Sequence, residues 1–327
     1  MDASLDRRDF LTRVATVSLA VTGGAMLGAT AVPTLATTQE ASPDAEPIPV
    51  AELPTPTDDG IDVPVLGIAF GSEKIVATPK VPAGTVRILT AVPYEDFGSV
   101  IFRIPDDRPH AIDQIWAAFA QPEPEIPSWV FDLYCPGGVR TDYRYGTTAE
   151  GFISLLPGVY AVMDFATGRS TTFVAMGSTN GAIDPKDVPY MGASFVDGAA
   201  FHPDAHAVVA ATAHDRMTYT GLEHGVPAGR RLWKFSNGGE MFHNIYVYGT
   251  PADVTPDDIL ASVMSEDENA FDGYTGGLMN TQTLSPGAVQ YFYLDLQPGP
   301  HAAHCTESDG QGPPHFFMGM IVTFEVA

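Results

Sequence analysis

Basic residues are scarce in this chain. Its 327 residues include 16 Lys and Arg against 40 Asp and Glu, a formal net charge of −24. Phosphate backbones and anionic membrane surfaces would be repelled, which excludes nucleic acid as a partner. Charge of either sign is thin, at 17% of residues, while 45% are hydrophobic, so the chain can bury a full core. Cysteine is limited to Cys135 and Cys305. Long apolar runs are missing too. The single candidate, about residues 14–32, is interrupted by Thr22, Gly23 and Gly24 and is too short and too weakly hydrophobic for a stable span. No other segment qualifies.

That run belongs to an N-terminal address. Arg7-Arg8 is followed by Phe10-Leu11, then by the apolar stretch, then by small-residue sites at Ala29-Thr30-Ala31 and Leu35-Ala36. This is the order of a secretory signal, and the paired arginines resemble a twin-arginine signal, which exports proteins already folded. We expect residues 1–36 to be the signal and residues 37–60, rich in Pro, Thr and Glu, to be a flexible linker. The mature protein is then periplasmic or extracellular, with no membrane span after signal removal.

The remainder echoes itself. "VPAGTVRIL" (81–89) recurs as "VPAGRRLWK" (226–234), "DQIWAAF" (113–119) as "DDILASV" (257–263), and "LLPGVYAVMDF" (155–165) as "LQPGPHAAHC" (296–305). Three matches in order at nearly one spacing point to a duplicated domain. With 32 Gly and 28 Pro between β-branched and aromatic runs such as "FHNIYVYG" and "VQYFYLDL", short strands joined by turns are expected. Each half should add one helix. Thr255-Pro256-Asp257-Asp258 supplies a cap, a first-turn proline and first-turn acids. Pro109 opens the equivalent helix, with Ile112, Ile115, Trp116 and Phe119 on one face. The predicted fold is all-β, two Greek-key sandwiches in tandem, at 61–188 and 189–327.

"HAAHCTESDGQGPPHFFMGM" (301–320) concentrates what the chain otherwise spares: one of two cysteines, three of nine histidines and two of eleven methionines. Cys305, His315 and Met320 lie there, and His243 enters an apolar strand about sixty residues earlier. A thiolate and two neutral imidazoles form a trigonal plane around copper, with a weak thioether on the axis. Soft sulfur suits Cu(I) and imidazole suits Cu(II), so one geometry serves both states.

These residues resemble the cupredoxins, the family of plastocyanin, azurin and the type 1 domains of nitrite reductases and multicopper oxidases. The resemblance covers about residues 190–327 and rests on "FHN" (242–244), "HCT" (304–306) and "HFFMGM" (315–320). It implies one type 1 copper per chain, held by His243, Cys305, His315 and Met320, with Met318 as the alternative axial ligand. It further implies that Asn244 and Thr306 tie the ligand segments together. At the positions matching Cys305 and His243 the first half has Asp164 and Gly98-Ser99, so that half is expected to hold no copper.

The functional expectation is electron transfer with a redox protein partner docking near His315, Phe316 and Phe317. One alternative is a copper oxidoreductase related to nitrite reductases or small multicopper oxidases, with a second copper at His304 drawing on "FHPDAH" (201–206) or a neighbouring subunit. Another is a non-redox copper-binding or interaction protein. A blander possibility for the cysteines is a disulfide between Cys135 and Cys305.

Overall fold

A computed structural model gives the fold. It describes residues 48–93, 99–121, 126–140, 148–165, 167–177, 206–265, 270, 272–308 and 312–327. The expected signal, the first part of the expected linker, the expected boundary at 188/189, Gly98 and His202 lie outside the described residues.

The first half contributes β1 (Val65–Phe70), β2 (Ile75–Ala77), β3 (Lys80–Pro82), β4 (Gly84–Ala91), β5 (Ser99–Arg103), β6 (Val139–Arg140), β7 (Thr148–Leu155), β8 (Gly158–Asp164) and β9 (Arg169–Met176). The second contributes β10 (Val209–His214), β11 (Thr218–Thr220), β12 (Gly229–Asn237), β13 (Tyr246–Gly249), β14 (Thr275–Thr281), β15 (Val289–Leu296), β16 (Gly299–His304) and β17 (Ile321–Val326). The protein is mostly β, as its turn-rich composition predicts.

The strands repeat their pairing pattern. β1 runs parallel to β4 and forms a hairpin with β2, while β10 runs parallel to β12 and forms a hairpin with β11. β4 pairs antiparallel with β7, and β12 pairs antiparallel with β15. Gly84 and Gly229, at the echoed "VPAG" positions, open β4 and β12 with φ of 105° and 83°. Only glycine adopts that backbone without strain.

The halves do not stand apart as separate sandwiches. β7 and β15 pair at Gln290↔Ile153, Tyr291↔Phe152 and Phe292↔Gly151. This seam makes one eight-stranded sheet, in the order β11-β10-β12-β15-β7-β4-β1-β2. Among the described residues the other sheets are a five-stranded one, β17-β16-β13-β14-β6, and a four-stranded one, β3-β9-β8-β5. The five-stranded sheet also mixes the halves, because β6 pairs with β14 through Asn280↔Arg140 and Thr281↔Val139.

The main core fills the space between sheets and includes Leu66, Ile88 and Tyr160 from one half with Trp233, Phe292 and Phe324 from the other. Trp233 stacks on Phe292 at 6.0 Å and meets Phe324 at 6.2 Å. Across the large sheet, Arg87 is 2% exposed and bonds to Asp59 and Glu150. Arg230 reaches the same Glu150 at 3.1 Å, and the Tyr293 hydroxyl donates to Asp59. Desolvation opposes charge on Asp59, yet the bonds from Arg87 and Tyr293 prevail and hold its carboxyl below the usual range.

Among the described residues two α-helices cover the sheets. Helix α1 (Ala111–Phe119) buries Ala111 and Ile115. Helix α2 (Pro256–Met264) starts in the predicted place with a full capping box, in which Thr255 Oγ1 accepts from Asp258 N and Asp258 accepts from Thr255 N. Its Ile259 and Val263 pack on Tyr246, Tyr248 and Ala302 of the five-stranded sheet. Among the described residues no helix is long and apolar enough to cross a membrane.

Candidate metal centre

The turn between β8 and β9 is a tight hairpin, with Asp164 paired to Arg169. At the equivalent place in the second half, β16 ends at His304 and β17 begins at Ile321. The intervening loop opens with Cys305 and contains His315 and Met320.

Backbone bonds fold this loop onto itself. Cys305 N donates to Met320 O at 3.2 Å, Phe316 N to Cys305 O at 3.0 Å, and Met320 N to His315 O at 3.0 Å. His315 begins a 3-10 turn (His315–Met318) that ends at Gly319, whose φ of 95° favours glycine. Pro313 and Pro314 precede the turn and restrict its approach.

His243 arrives from the other side, between β12 and β13. Its N–H donates to Leu284 O at 3.2 Å, and Leu284 N donates back to His243 O at 2.9 Å. Asn237 Nδ2 donates to Met241 O and Leu284 O, fixing the approach. The preceding Phe242 sits in a cluster with Phe102, Ala161, Met163 and Cys135 of the first half.

Three ligand-type atoms converge. Cys305 Sγ lies 3.6 Å from His243 Nδ1 and 3.5 Å from His315 Nδ1, and the two nitrogens are 3.2 Å apart. All three residues are buried, and among the described residues they form the one group of three or more His, Cys, Asp or Glu with metal-binding spacing. The point equidistant from the three atoms is about 2.0 Å from each, close to metal–imidazole and metal–thiolate bond lengths of roughly 2.0–2.3 Å. A trigonal metal ion fits this donor set in both size and chemistry.

Electrostatics agree with that fit. Burial pushes the Cys305 thiol well above its usual pKa, partly offset by backbone N–H groups of Asn244 and Glu307. The thiol therefore keeps its proton at neutral pH until a cation displaces it. Burial also lowers the pKa of His243, against the pull of Asp215, so its ring is neutral and able to ligate.

The surrounding bonds place both predicted support residues. Asn244 N donates to Cys305 Sγ at 3.4 Å. Asn244 Nδ2 donates to Thr306 Oγ1 at 2.7 Å, and Thr306 N donates back to Asn244 Oδ1 at 2.9 Å. Sequence reasoning missed Asp215, in the turn after β10, whose Oδ1 lies 3.2 Å from His243 Nε2. Glu240 N and Met241 N also donate to this carboxylate. They and His243 outweigh desolvation and lower its pKa. A carboxylate on the outer nitrogen orients a metal-binding imidazole.

The two methionines separate by burial: Met320 is 0% exposed and Met318 is 41% exposed. Met320 shares the main core with Cys305.

The other residues singled out in the sequence lie around the triangle. His315 and Phe316 are buried at 0% and 1% exposure, because the 3-10 turn points Phe316 into the cluster of Tyr246, Tyr248 and Ile321. Beside them, Pro313 is exposed and Phe317 half-buried. His304 is enclosed by Tyr246, Tyr248 and Phe316, with ring centroids 5.1–5.5 Å away. Burial pushes its pKa down to about 3. The two cysteines are both free and buried, so no disulfide joins them. Cys135 N instead donates to Ser285 Oγ at 2.7 Å.

No family model and no curated protein matches the chain. Similar solved structures include three auracyanins. Dithionite-reduced auracyanin from the photosynthetic bacterium Roseiflexus castenholzii is 23% identical with a TM-score of 0.27, covering 37% of this chain and 98% of that one. Auracyanin B is 16% identical with a TM-score of 0.25, covering 36% and 87%. Auracyanin A, a "blue" copper protein from the green thermophilic photosynthetic bacterium Chloroflexus aurantiacus, is 14% identical with a TM-score of 0.26, covering 36% and 97%.

Proposed function

We propose that this chain is an exported, cupredoxin-like electron carrier with one type 1 copper per molecule, ligated by His243, Cys305, His315 and, on the axis, Met320. The observation that carries this reading is the triangle of one thiol sulfur and two imidazole nitrogens, with sides of 3.2–3.6 Å. Bound copper supplies a one-electron couple at neutral pH. The protein's own part is to hold the donors still. The Asn244–Thr306 bonds lock the His243 segment to the Cys305 segment, and Asp215 fixes the His243 ring. Donors fixed in this way change little between oxidation states. Held by these residues, the metal would take one electron from a reduced protein donor and pass it to an oxidised protein acceptor, with no bond made or broken. Full burial supports Met320 over Met318 as the axial thioether.

The repeated pairing of β1, β2, β4 and β7 by β10, β11, β12 and β15 supports a duplicated ancestor. The tight β8–β9 hairpin supports a first half without copper. Export through a twin-arginine signal at 1–36 and a linker at 37–60 complete the reading. Enclosure of His304 by aromatic rings favours a packing role there over a second metal. Docking of a redox partner is best served by Pro313, Phe317 and Met318, the accessible rim over buried His315.

The test is a metal count with a visible spectrum on purified mature protein. One copper per chain with an intense charge-transfer band is expected. Cys305→Ala should abolish the band and leave the circular dichroism of the fold unchanged. A colourless copper-loaded protein, or a band surviving in Cys305→Ala, refutes the assignment.

A further inference from the structure

The backbone of His243 rests on Leu284, which is 0% exposed. The two exchange a pair of bonds, His243 N to Leu284 O at 3.2 Å and Leu284 N to His243 O at 2.9 Å. Two residues further on, Ile245 N donates to Thr281 Oγ1 at 3.0 Å, and Thr281 N donates to Ile245 O at 3.1 Å. Residues 281–285 are thus the rail along which the His243 segment lies.

The first half grips the other edge of that rail. Its buried stretch 133–138, "LYCPGG", runs antiparallel to it, with Pro136 bridged to Leu284. Gln282 N donates to Gly138 O and Ser285 N donates to Cys135 O, each at 3.0 Å. The Ser285 hydroxyl adds two bonds of its own. Its Oγ accepts from Cys135 N at 2.7 Å and donates to Leu133 O at 3.0 Å. Gly138 N donates to Gln290 Oε1 at 2.7 Å. The approach is close: a Cβ on Gly137 would lie 3.0 Å from Leu284 Cδ1 and would collide with Gln290 Oε1. The φ of 84° at Gly137 also favours glycine. Ser285 is 3% exposed and Cys135 is 4% exposed, so solvent does not replace a bond lost between them.

We infer that Ser285 is a positioning residue for the metal centre: by tying the 281–285 rail to Leu133 and Cys135, it fixes the edge on which His243 rests. The copper-free half thereby helps to set the ligand geometry. This inference rests on the copper reading above.

The test uses the full mature chain as Ser285→Ala, with Thr78→Val as the control. Thr78 Oγ1 accepts from Gly67 N at 2.9 Å, a first-half bond that leads to no ligand. On copper-loaded protein the readouts are release to a chelator, the charge-transfer band and the reduction potential. On metal-free protein the readout is amide hydrogen exchange at Leu284 and His243 relative to the amides of β8, with circular dichroism for the fold. Losing a partner that orients a metal ligand costs roughly 10–100-fold in metal affinity. Ser285 acts one residue further out, so release about 10-fold faster is expected, with a shifted band and potential. In metal-free Ser285→Ala the Leu284 and His243 amides should exchange about 10-fold faster relative to those of β8. Thr78→Val should move neither the band nor that ratio. Wild-type band and potential in folded Ser285→Ala, or an unchanged exchange ratio, overturn the inference, as does an equal shift of the band in Thr78→Val. If Ser285→Ala fails to fold, exchange in the metal-free wild type decides. The amides of Cys135, Ser285, Leu284 and His243 should open as one unit, their opening constants agreeing within about threefold, and His243 opening while Cys135 stays closed overturns the inference. A wild-type chain that takes up no copper refutes the copper reading and with it the role at a metal; the exchange ratio then reads the tie between Ser285 and His243 separately.

Discussion

Asn244→Ala is the substitution that most directly probes the brace around the site, and metal-free protein suffices. Asn244 is 0% exposed. Its side chain makes bonds of 2.7, 2.9 and 3.0 Å to Thr306 Oγ1, Thr306 N and Glu307 Oε1. A net hydrogen bond is worth about 1 kcal/mol, and a buried group left without its partner costs about 1–3 kcal/mol. Glu307 Oε1 keeps Thr283, so the backbone N–H of Thr306 is the group chiefly orphaned. Two lost bonds and one orphaned group together give a loss of roughly 3–5 kcal/mol. Urea unfolding of metal-free wild type and variant, followed by tryptophan fluorescence, measures it. The transition should move to lower urea with its slope unchanged. Thr306→Val combined with Asn244→Ala should show a coupling of about 1–2 kcal/mol. A loss below about 1 kcal/mol, or no coupling, would show that the amide does not hold the two segments together.

Met320→Ala should shift the reduction potential more than Met318→Ala, since an axial donor tunes the metal directly; equal shifts in redox titrations would count against Met320. Asp59→Asn should destabilise the fold by about 2–4 kcal/mol in thermal melts, because it leaves buried Arg87 with one carboxylate fewer. The folded-state pKa of Asp59 lies below its ordinary 3.8, so its contribution is complete above that value and is lost as pH falls through the folded value. Wild-type stability should decline more steeply than that of Asp59→Asn between about pH 4 and pH 2, and parallel curves would contradict this. Gly151→Ala places a Cβ 2.3 Å from Tyr291 O and 2.8 Å from Val139 Cγ1; a loss of about 1–3 kcal/mol is expected, and wild-type melting would show that the seam can yield.

The ligand triangle was legible because its residue types are rare here and two of its three members, Cys305 and His315, crowd into one short stretch. Two residues that bond around it, Asp215 and Glu307, were not. Asp215 is one of 40 acids and sits in a turn between His214 and Arg216, where a solvated charge is the ordinary expectation. Glu307 could have been suspected as the first acid after Cys305, but sequence says nothing of its burial. Helix α2 was readable from its cap, a purely local signal. The β7–β15 seam was not, since Phe152 meets Tyr291 across 139 positions of chain and strand patterning does not name its partner. The inward turn of Phe316 was hidden for a similar reason. An aromatic beside a ligand looks alike whether it faces solvent or core.

Joining the halves at β7 and β15 has a consequence for anyone who would divide this protein. Cut between the halves, each piece would bare the amides and carbonyls of the three paired positions along what is now an interior strand. Such a rim recruits other chains. The isolated second half should clump in solution, where the intact polypeptide ends its large sheet in the two three-residue strands, β2 and β11.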